Sequence, residues 1–267
     1  MITPIKKEFN NKKLRGVSMQ GEYITKEKWT KILCFLKKQK RLYIRREENC
    51  KRFLDAIYWM AKTGAQWREL PEQYGRWNSV FKRFNSWSKK GVWEDLLSFC
   101  IQDPDLEYIM IDSTIVRAHA CSAGYGKQEQ EGLDRSVGGF STKIHAKVDA
   151  LGNLLKFIVT PGQQSDFKQA KELLEGDKGS FVLGDKGYDS DEIREEIAKQ
   201  KCMAVIPGKS NRKAVYDYDK HIYKERNLIE CFFSKIKYFR RIFSRFDKSI
   251  KSYISMISFV GAVLWLR

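Results

Sequence analysis

Four polar residues near the end of the sequence recur at helical spacing. Tyr223, Arg226, Glu230 and Lys237 are separated by three, four and seven positions. On an α-helix they fall on one stripe, and the apolar residues between them can bury against a core. A carboxylate beside cations suits a metal-dependent phosphodiester enzyme, in which the acid holds a cation and the basic groups hold the anionic backbone. A solvated face with ordinary helix ion pairs is the alternative, and other parts of the chain decide between the two.

Two further carboxylates follow predicted strands. Asp112 ends the apolar run at residues 107–112, and Asp185 directly follows the run at residues 181–184. Ligands bind at the strand ends of α/β sheets, so we expect these acids and Glu230 to share one site. A lone Asp at a strand end is often only a turn residue. Three acids in suitable elements of a basic chain weaken that alternative.

The predicted site is a three-carboxylate cage for divalent ions. Six cysteines are spread singly and only three histidines are present, so a zinc site is not indicated. Oxygen ligands favour Mg²⁺ or Mn²⁺. Two such ions about 3.5 to 4 Å apart would activate a water or a 3′-hydroxyl and stabilise the leaving oxygen. All three acids must be ionised to hold that charge.

The composition indicates a polyanionic partner. The 267 residues include 50 Lys plus Arg against 33 Asp plus Glu, a formal net charge of +17. Nucleic acid is the leading candidate and a membrane surface the competing one. The apolar run at residues 254–266 is too short to span a bilayer and predicts a buried terminal helix. The N-terminal residues lack an apolar leader, and the scattered cysteines indicate reduced thiols, so we expect a cytoplasmic protein.

The first part of the chain is predicted to be helical. Residues 1–22 are basic and without clear periodicity, and we interpret them as a mobile arm. Residues 23–104 predict a small all-α domain whose first helix is capped by Thr25. Its outer faces carry many cations, as a helix-turn-helix type DNA reader requires, although a merely solvated face is equally plausible. The break at residues 103–105 is the predicted boundary.

Strand patterns dominate the second part, residues 105–267. A predicted hairpin joins residues 143–149 to residues 154–159, and residues 203–206 predict another strand after a helix at residues 191–200. The alternation implies an α/β sheet covered on its faces. The Gly-rich loop at residues 120–140 is longer than most connections, so we expect it to be functional or disordered.

The motifs resemble those of bacterial insertion-sequence transposases of the DDE class. The signature of that family, Tyr, two residues, Arg, three residues, Glu, six residues, Lys, is met without exception by Tyr223, Arg226, Glu230 and Lys237. The surroundings of Asp112 and Asp185 are also similar to the family's. Further similar segments lie at residues 67–71, 74–84, 141–153 and 160–163. The resemblance covers residues 23–267.

This resemblance implies an RNase H-like catalytic domain, with a mixed sheet flanked by helices, preceded by a small all-α DNA-binding domain. Asp112, Asp185 and Glu230 would be the catalytic metal ligands. The enzyme would be an endonuclease that cuts at the ends of the element and joins the freed 3′-hydroxyls to target DNA. Mg²⁺ would be the cofactor, with Mn²⁺ able to substitute.

The resemblance also implies how DNA is held. Tyr223, Arg226 and Lys237 would position the DNA end, with Lys186 and Arg117 as weaker candidates for phosphate contact or ordinary surface cations. Relatives typically have a second basic residue at the position of Val137. This difference affects only the strength of DNA contact by the loop at residues 120–140. The partner would be double-stranded DNA, both terminal repeats and target. We expect a homo-oligomer on DNA, no membrane, and a nucleoid-associated bacterial location.

Two other functions remain open at this point. One is a catalytically inactive transposase remnant that acts as a DNA-binding protein, and the other is a metal-dependent nuclease of the same fold. A nucleotide-binding loop at residues 207–210 is disfavoured because Met203 stands where its first glycine is required. His119 and His145 are interpreted as structural side chains. Three neighbouring acids compete with the chosen ligands, namely Asp149, Asp166 and Asp189, of which Asp189 is also a candidate helix cap.

Overall fold

The computed structural model describes residues 23–122, 129–136, 139–212 and 216–266. The predicted basic arm, the middle of the Gly-rich loop and Val137 lie outside these residues. Four helices precede the sheet, together with two 3₁₀ turns at Trp67–Glu69 and Glu72–Tyr74. The helices are α1 Lys26–Lys38, α2 Glu47–Thr63, α3 Trp77–Lys89 and α4 Val92–Cys100.

Local signals explain where these helices begin and end. The Thr25 hydroxyl accepts a hydrogen bond from the Lys28 amide, which confirms the predicted cap of α1. Helix α2 ends at Gly64, whose φ of 65° lies in the left-handed region that glycine adopts without strain. Aromatic rings close the interior of the unit, with Phe84 and Trp93 fully buried and their centroids 5.5 Å apart.

The second part of the chain forms a six-stranded mixed sheet. β3 pairs antiparallel with β1, β2 and β4, whereas β5 pairs parallel with β1 and with β6. The sheet path runs β4-β3-β1-β5-β6, with β2 added beside the first residues of β3. The strands are β1 Tyr108–Arg117, β2 Asp134–Ser136, β3 Gly139–Val148, β4 Leu154–Pro161, β5 Phe181–Leu183 and β6 Met203–Val205.

The two faces of the sheet bury different cores. Along β1, Met110 belongs to one apolar cluster and Ile111 to the other, as the alternation of side chains in a strand requires. On the Ile111 face lie helices α5 Asp166–Leu174 and α6 Asp191–Lys199. On the Met110 face lie α7 Asn227–Lys237, α8 Arg240–Phe243 and α9 Ile250–Trp265.

Helix α9 joins the helical unit to the sheet. The Trp93 and Phe259 rings meet edge to face at 5.3 Å, and the Lys28 ammonium donates to the Val263 carbonyl. Gly261 allows this approach, since a Cβ there would lie 2.9 Å from Leu154. The buried core is therefore continuous across residues 103–105. None of the described helices is long and apolar enough to cross a membrane.

Most of the predicted elements are confirmed, including the hairpin, the terminal helix and the alternation of strands and helices. The prediction that Asp112 ends a strand is wrong. β1 continues to Arg117 because it pairs with β3 from Met110 to Arg117, well beyond its short pairing with β5. Tyr223 does not lie on the predicted α-helix either, because residues Ile222–Arg226 form a 3₁₀ segment before α7.

Candidate active site

The register of the sheet brings Asp112 and Asp185 together. The last parallel pair between β1 and β5 is Met110 with Leu183. Each acid stands two residues beyond its member of that pair. Side chains two positions apart on a strand share a face. Asp112, within β1, and Asp185, just after β5, therefore lie at one level of the sheet. Burial, and to a smaller extent the charge of Asp185, raises the pKa of Asp112.

Helix α7 supplies the third acid from the same side. Its buried face, including Ile229 and Phe233, packs against the core, which leaves Glu230 exposed toward β1 and β3. Arg226 lies one turn earlier, at the junction of the 3₁₀ segment and α7. Its guanidinium contacts Asp112 Oδ2 at 3.1 Å through Nη1 and pairs with Glu230 Oε1 through Nη2. One cation therefore bridges two of the predicted ligands.

The pKa of Asp112 depends on its burial and on the charged groups around it. Burial, together with the nearby charges of Asp185 and Glu230, raises the pKa of Asp112 to about 6. The Ser113 amide, which donates to Oδ1 at 2.7 Å, and the Arg226 guanidinium act in the opposite direction. A buried carboxylate surrounded by like charge favours a cationic partner, and here Arg226 provides one.

The donor set suits a hard divalent ion, with one obstacle. The three groups are carboxylates, the ligands preferred by Mg²⁺ and Mn²⁺. Asp185 has room for a ligand because Gly187 lacks a side chain, and a Cβ there would lie 2.8 Å from Asp185 Oδ1. Among the described residues, however, no three His, Cys, Asp or Glu side chains form a ready ligand group. The obstacle is the Arg226 guanidinium, which contacts both Asp112 and Glu230.

Two of the predicted DNA-positioning residues also reach this site. Lys237 donates to the Thr114 hydroxyl, and burial lowers the pKa of its ammonium. Thr114 lies on the same face of β1 as Asp112, so the cation stands beside the acids. Tyr223 is half-buried, with its ring centroid 6.0 Å from the Arg226 guanidinium. A 3₁₀ helix has three residues per turn, so this ring still shares a face with the residue three positions on.

The two weaker candidates are placed differently. Lys186 is exposed directly after Asp185, on the 3₁₀ turn Lys186–Tyr188. Arg117 is exposed at the far end of β1, and five residues of strand separate it from Asp112 by roughly 17 Å. Lys186 is therefore beside the acids, whereas the Arg117 backbone lies well away from them.

The three competing acids have other partners. Asp149 holds the hairpin turn by accepting from the amides of Leu151 and Asn153. Asp189 accepts from the Lys209 amide at 2.8 Å and pairs with Arg194 at 2.9 Å. It does not cap the following helix, because the Ser190 hydroxyl performs that function. Asp166 lies on the opposite face of the sheet, where its Oδ1 atom is 3.3 Å from His145 Nδ1.

Sequence reasoning missed Thr114 as the partner of Lys237 and the polar residues behind the acids. The alternation of β1 was the available signal for Thr114, because it places residues 112 and 114 on one face. Well-formed hollows of about 290 Å³ and about 640 Å³ lie between α5 and α6 and beside residues 68–78. The walls of both hollows are formed by residues other than the three acids.

Comparison with known proteins identifies the family. The family model described as "Transposase DDE domain" matches residues 103–263, more than half of the chain. The chain belongs to the DDE transposase family. Residues 24–97 match a second model, described as "Putative transposase of IS4/5 family". The transposase is thus an enzyme of DNA cleavage and strand transfer that uses a divalent metal, and its mixed sheet with flanking helices is the RNase H-like fold of such catalytic domains.

Two curated relatives are similar to parts of the chain. A protein of Brucella ovis named "Putative transposase for insertion sequence element IS6501" is 42% identical over 129 residues, which are 48% of this chain and 99% of the relative. "Uncharacterized protein y4sN" of Sinorhizobium fredii is 47% identical over 76 residues, which are 28% of this chain and 61% of that protein.

Solved structures of transposases are similar at a lower level. A piggyBac transposase synaptic complex with hairpin DNA has a TM-score of 0.43 and 14% identity, covering 71% of this chain and 48% of that chain. This transposase thus matches about half the length of the piggyBac chain. A Mos1 transposase paired-end complex with left transposon end has a TM-score of 0.27 and 13% identity, covering 76% of this chain and 82% of that chain.

Proposed function

We propose that this transposase cuts DNA at the ends of its insertion sequence and transfers the freed 3′-hydroxyl ends to target DNA. Asp112, Asp185 and Glu230 hold the metal, which is Mg²⁺ with Mn²⁺ as a substitute. The observation that carries the proposal is the sharing of one guanidinium by Asp112 and Glu230, with Asp185 close enough to raise the pKa of Asp112. When bound, a pair of such ions activates the attacking oxygen and stabilises the leaving one.

The residues of the chain itself prepare the site for that chemistry. The Ser113 amide and Arg226 favour the ionised form of Asp112, which metal binding requires. With the metal held by the carboxylates, Arg226 would be available to hold a phosphate of the DNA end. Lys237, fixed by Thr114, provides a second cation for the backbone. Tyr223 positions the DNA end beside them.

The remaining DNA contacts are distributed over the basic surface. Lys186 lies close enough to Asp185 to contact a phosphate near the cleaved bond, whereas Arg117 contacts DNA farther away. The helical unit, residues 23–104, binds double-stranded DNA through cations outside its own ion pairs, since Lys37 and Arg41 are engaged with acids. Exposed cations that fit this role are Lys40, Arg45, Arg46, Lys82 and Lys89.

Transposition requires two DNA ends to be held together, so we propose a homo-oligomer assembled on DNA. The terminal repeats and the target site are both ligands of that assembly. The protein acts in the bacterial cytoplasm, at the nucleoid, because its substrate is the chromosome. The residues 105–267 carry out catalysis, and the helical unit packed against them contributes binding.

The test is an assay of end cleavage and joining. The transposase and Mg²⁺ are incubated with DNA that carries the flanking ends of the element. Asp112→Ala, Asp185→Ala and Glu230→Ala should each abolish both products and still retard DNA in a gel. Glu225→Ala is the matched control, because it removes an exposed acid from the neighbouring 3₁₀ segment and should leave both products unchanged.

The outcome separates the alternatives. Near-normal turnover by any of the three variants would show that its assignment as a ligand is wrong. Cleavage without joined products would indicate a metal-dependent nuclease of the same fold. Retardation of DNA without any product from the unaltered chain would indicate an inactive remnant that only binds DNA.

A further inference from the structure

A buried group of polar side chains lies behind the acids, on the opposite face of the sheet. Ser113 follows Asp112 on β1, so its side chain points away from the metal site. It is paired in register with His145 of β3, which is fully buried. We call this group the rear polar cluster. Its members are Ser113, Lys143, His145, Thr160, Asp166 and Tyr188.

Asp166 is at the centre of the rear polar cluster. Its Oδ1 atom is 3.2 Å from Lys143 Nζ and 3.3 Å from His145 Nδ1. The other ring nitrogen of His145 is 2.9 Å from the Thr160 hydroxyl. Lys143 also donates to the Gln164 carbonyl at 2.9 Å. The cluster therefore ties the first turn of α5 to strands β3 and β4.

The rear polar cluster also contacts both elements that carry the catalytic aspartates. Ser113, the neighbour of Asp112, is paired in register with His145, and α5 packs against both β1 and the turn Lys186–Tyr188. Tyr188 lies three residues after Asp185 and is buried against Gly184, where an added Cβ would be 3.4 Å from its ring. Burial first, and then the charges of Asp166, Asp112 and Asp185, raise the pKa of Tyr188. Tyr188 therefore packs beside both α5 and the turn that carries Asp185.

A cluster of this kind is costly for stability alone. Keeping a lysine, an imidazole and a carboxylate largely out of water is unfavourable, and apolar side chains of the same volume are often as stabilising or more so. The polar groups instead fix geometry, because hydrogen bonds and ion pairs constrain the relative orientation of the elements that they join. The elements joined here are β1, with Asp112, and the turn that follows β5, with Asp185.

We infer that Asp166, acting through Ser113, His145 and Lys143, is a positioning residue for the metal site. It holds β1 and the turn after β5 so that Asp112 and Asp185 face one another at the separation that a divalent ion requires. The inference rests on the proposed metal-dependent function. It assigns a role to residues behind the sheet that do not touch metal or DNA.

The same strand offers a matched control. Lys147 stands four residues after Lys143 on β3, on the same face, and pairs with Asp177 at 2.7 Å. Both side chains are less than 10% exposed, with values of 7% and 9%. This ion pair resembles the Lys143–Asp166 pair in chemistry and in strand, and the two lysines flank His145, because Lys143 pairs in register with Ile115 and Lys147 with Ile111. The pairs differ in that Asp166 also contacts His145 and is 34% exposed. Loss of the Lys147–Asp177 pair should affect stability and leave the acids in place.

The experiment measures Mn²⁺ binding to the full chain without DNA, by calorimetry or by the electron paramagnetic resonance of free Mn²⁺. Thermal stability is recorded for the same samples. Residues that orient metal ligands typically change affinity about 10- to 100-fold when they are replaced. We therefore expect Asp166→Asn to weaken Mn²⁺ binding about tenfold or more. Asp177→Asn should lower the melting temperature but keep Mn²⁺ affinity within about twofold.

Two further variants decide the matter if Asp166→Asn does not fold. Asp166→Glu keeps the carboxylate and should recover most of the affinity, whereas His145→Gln loses the contact to Asp166 and should weaken Mn²⁺ binding about threefold. Equal Mn²⁺ affinity of the Asp166 or His145 variants and Asp177→Asn would overturn the inference. Asp112→Asn separates this result from failure of the proposed function. If it binds Mn²⁺ as the unaltered chain does, the metal assignment itself is wrong.

Discussion

Replacing Arg226 by glutamine tests the view that its guanidinium occupies the place of the metal. Arg226 contacts Asp112 at 3.1 Å and also pairs with Glu230. A divalent ion must displace these contacts before it can bind both carboxylates. Arg226→Gln removes the competing cation and its repulsion of the metal, so Mn²⁺ should bind more tightly. DNA cleavage should nevertheless fall, because the same cation is proposed to hold a phosphate.

The size of the effect follows from the exposure of the three side chains. Arg226 and Asp112 are 20% and 19% exposed, so their charge-assisted hydrogen bond is worth about 1.5 to 3 kcal/mol. Glu230 is 52% exposed, which limits its ion pair to about 1 kcal/mol or less. A net gain of about 2 kcal/mol in metal binding corresponds to about a thirtyfold increase in affinity.

The assay is a titration of DNA-free protein with Mn²⁺ at about pH 8. That pH is chosen because loss of Arg226 raises the pKa of Asp112 above its value of about 6, and protons would then compete with the metal in weakly acidic buffer. Lys224→Gln, which removes an exposed cation from the same 3₁₀ segment, is the control and should leave the affinity unchanged. Weaker Mn²⁺ binding by Arg226→Gln than by the control would refute the reasoning.

Three other predictions concern the acids and the core. Gly187→Ala should weaken Mn²⁺ binding in a titration, because its Cβ would lie 2.8 Å from Asp185 Oδ1, and unchanged binding would contradict that geometry. Arg241→Ala should lower the free energy of unfolding in urea by about 3 to 5 kcal/mol, since it leaves the buried Asp247 unpaired, and Asp247→Ala in the same chain should restore part of it. Although burial opposes it, contact with His145 and Lys143 lowers the pKa of Asp166. Its stabilising contribution is therefore present above the unfolded pKa of about 3.9 and is lost as pH falls below it, so urea midpoints of Asp166→Asn should vary less between about pH 3 and 5.

The sequence was sufficient to predict the elements that carry the acids, because apolar runs and turn residues mark β1, β5 and the hairpin. It also predicts that the three acids share one site, since Asp112 ends one apolar run, Asp185 follows another, and Glu230 lies in an amphipathic helical pattern. The prediction that Asp112 ends β1 was wrong because the length of the strand depends on its pairing with β3, which is a long-range contact. The apolar run stops at Asp112, but the hydrogen-bonded ladder continues to Arg117.

The contact of Arg226 with two of the acids could not be predicted in full from the sequence. The spacing of Arg226 and Glu230 predicts an ion pair along the helix, and that pair is present. The second contact, to Asp112, joins residues 114 positions apart and depends on how α7 packs against the sheet. Helices α4 and α5 were also absent from the predicted elements. Because α5 was absent, nothing in the pattern showed that Asp166 would lie on the face of the sheet opposite the acids, beside His145.

The packing of α9 against the first helices has a consequence for how the molecule loses its structure. Although Ile250–Trp265 is far from α4 along the chain, its residues Phe259 and Gly261 contact Trp93 and Leu97 of that helix. Without α9, the aromatic interior of the first helices lacks one wall, and chains that expose such surface are prone to associate with chaperones or with each other. A change that detaches α9 should therefore expose the first helices to aggregation.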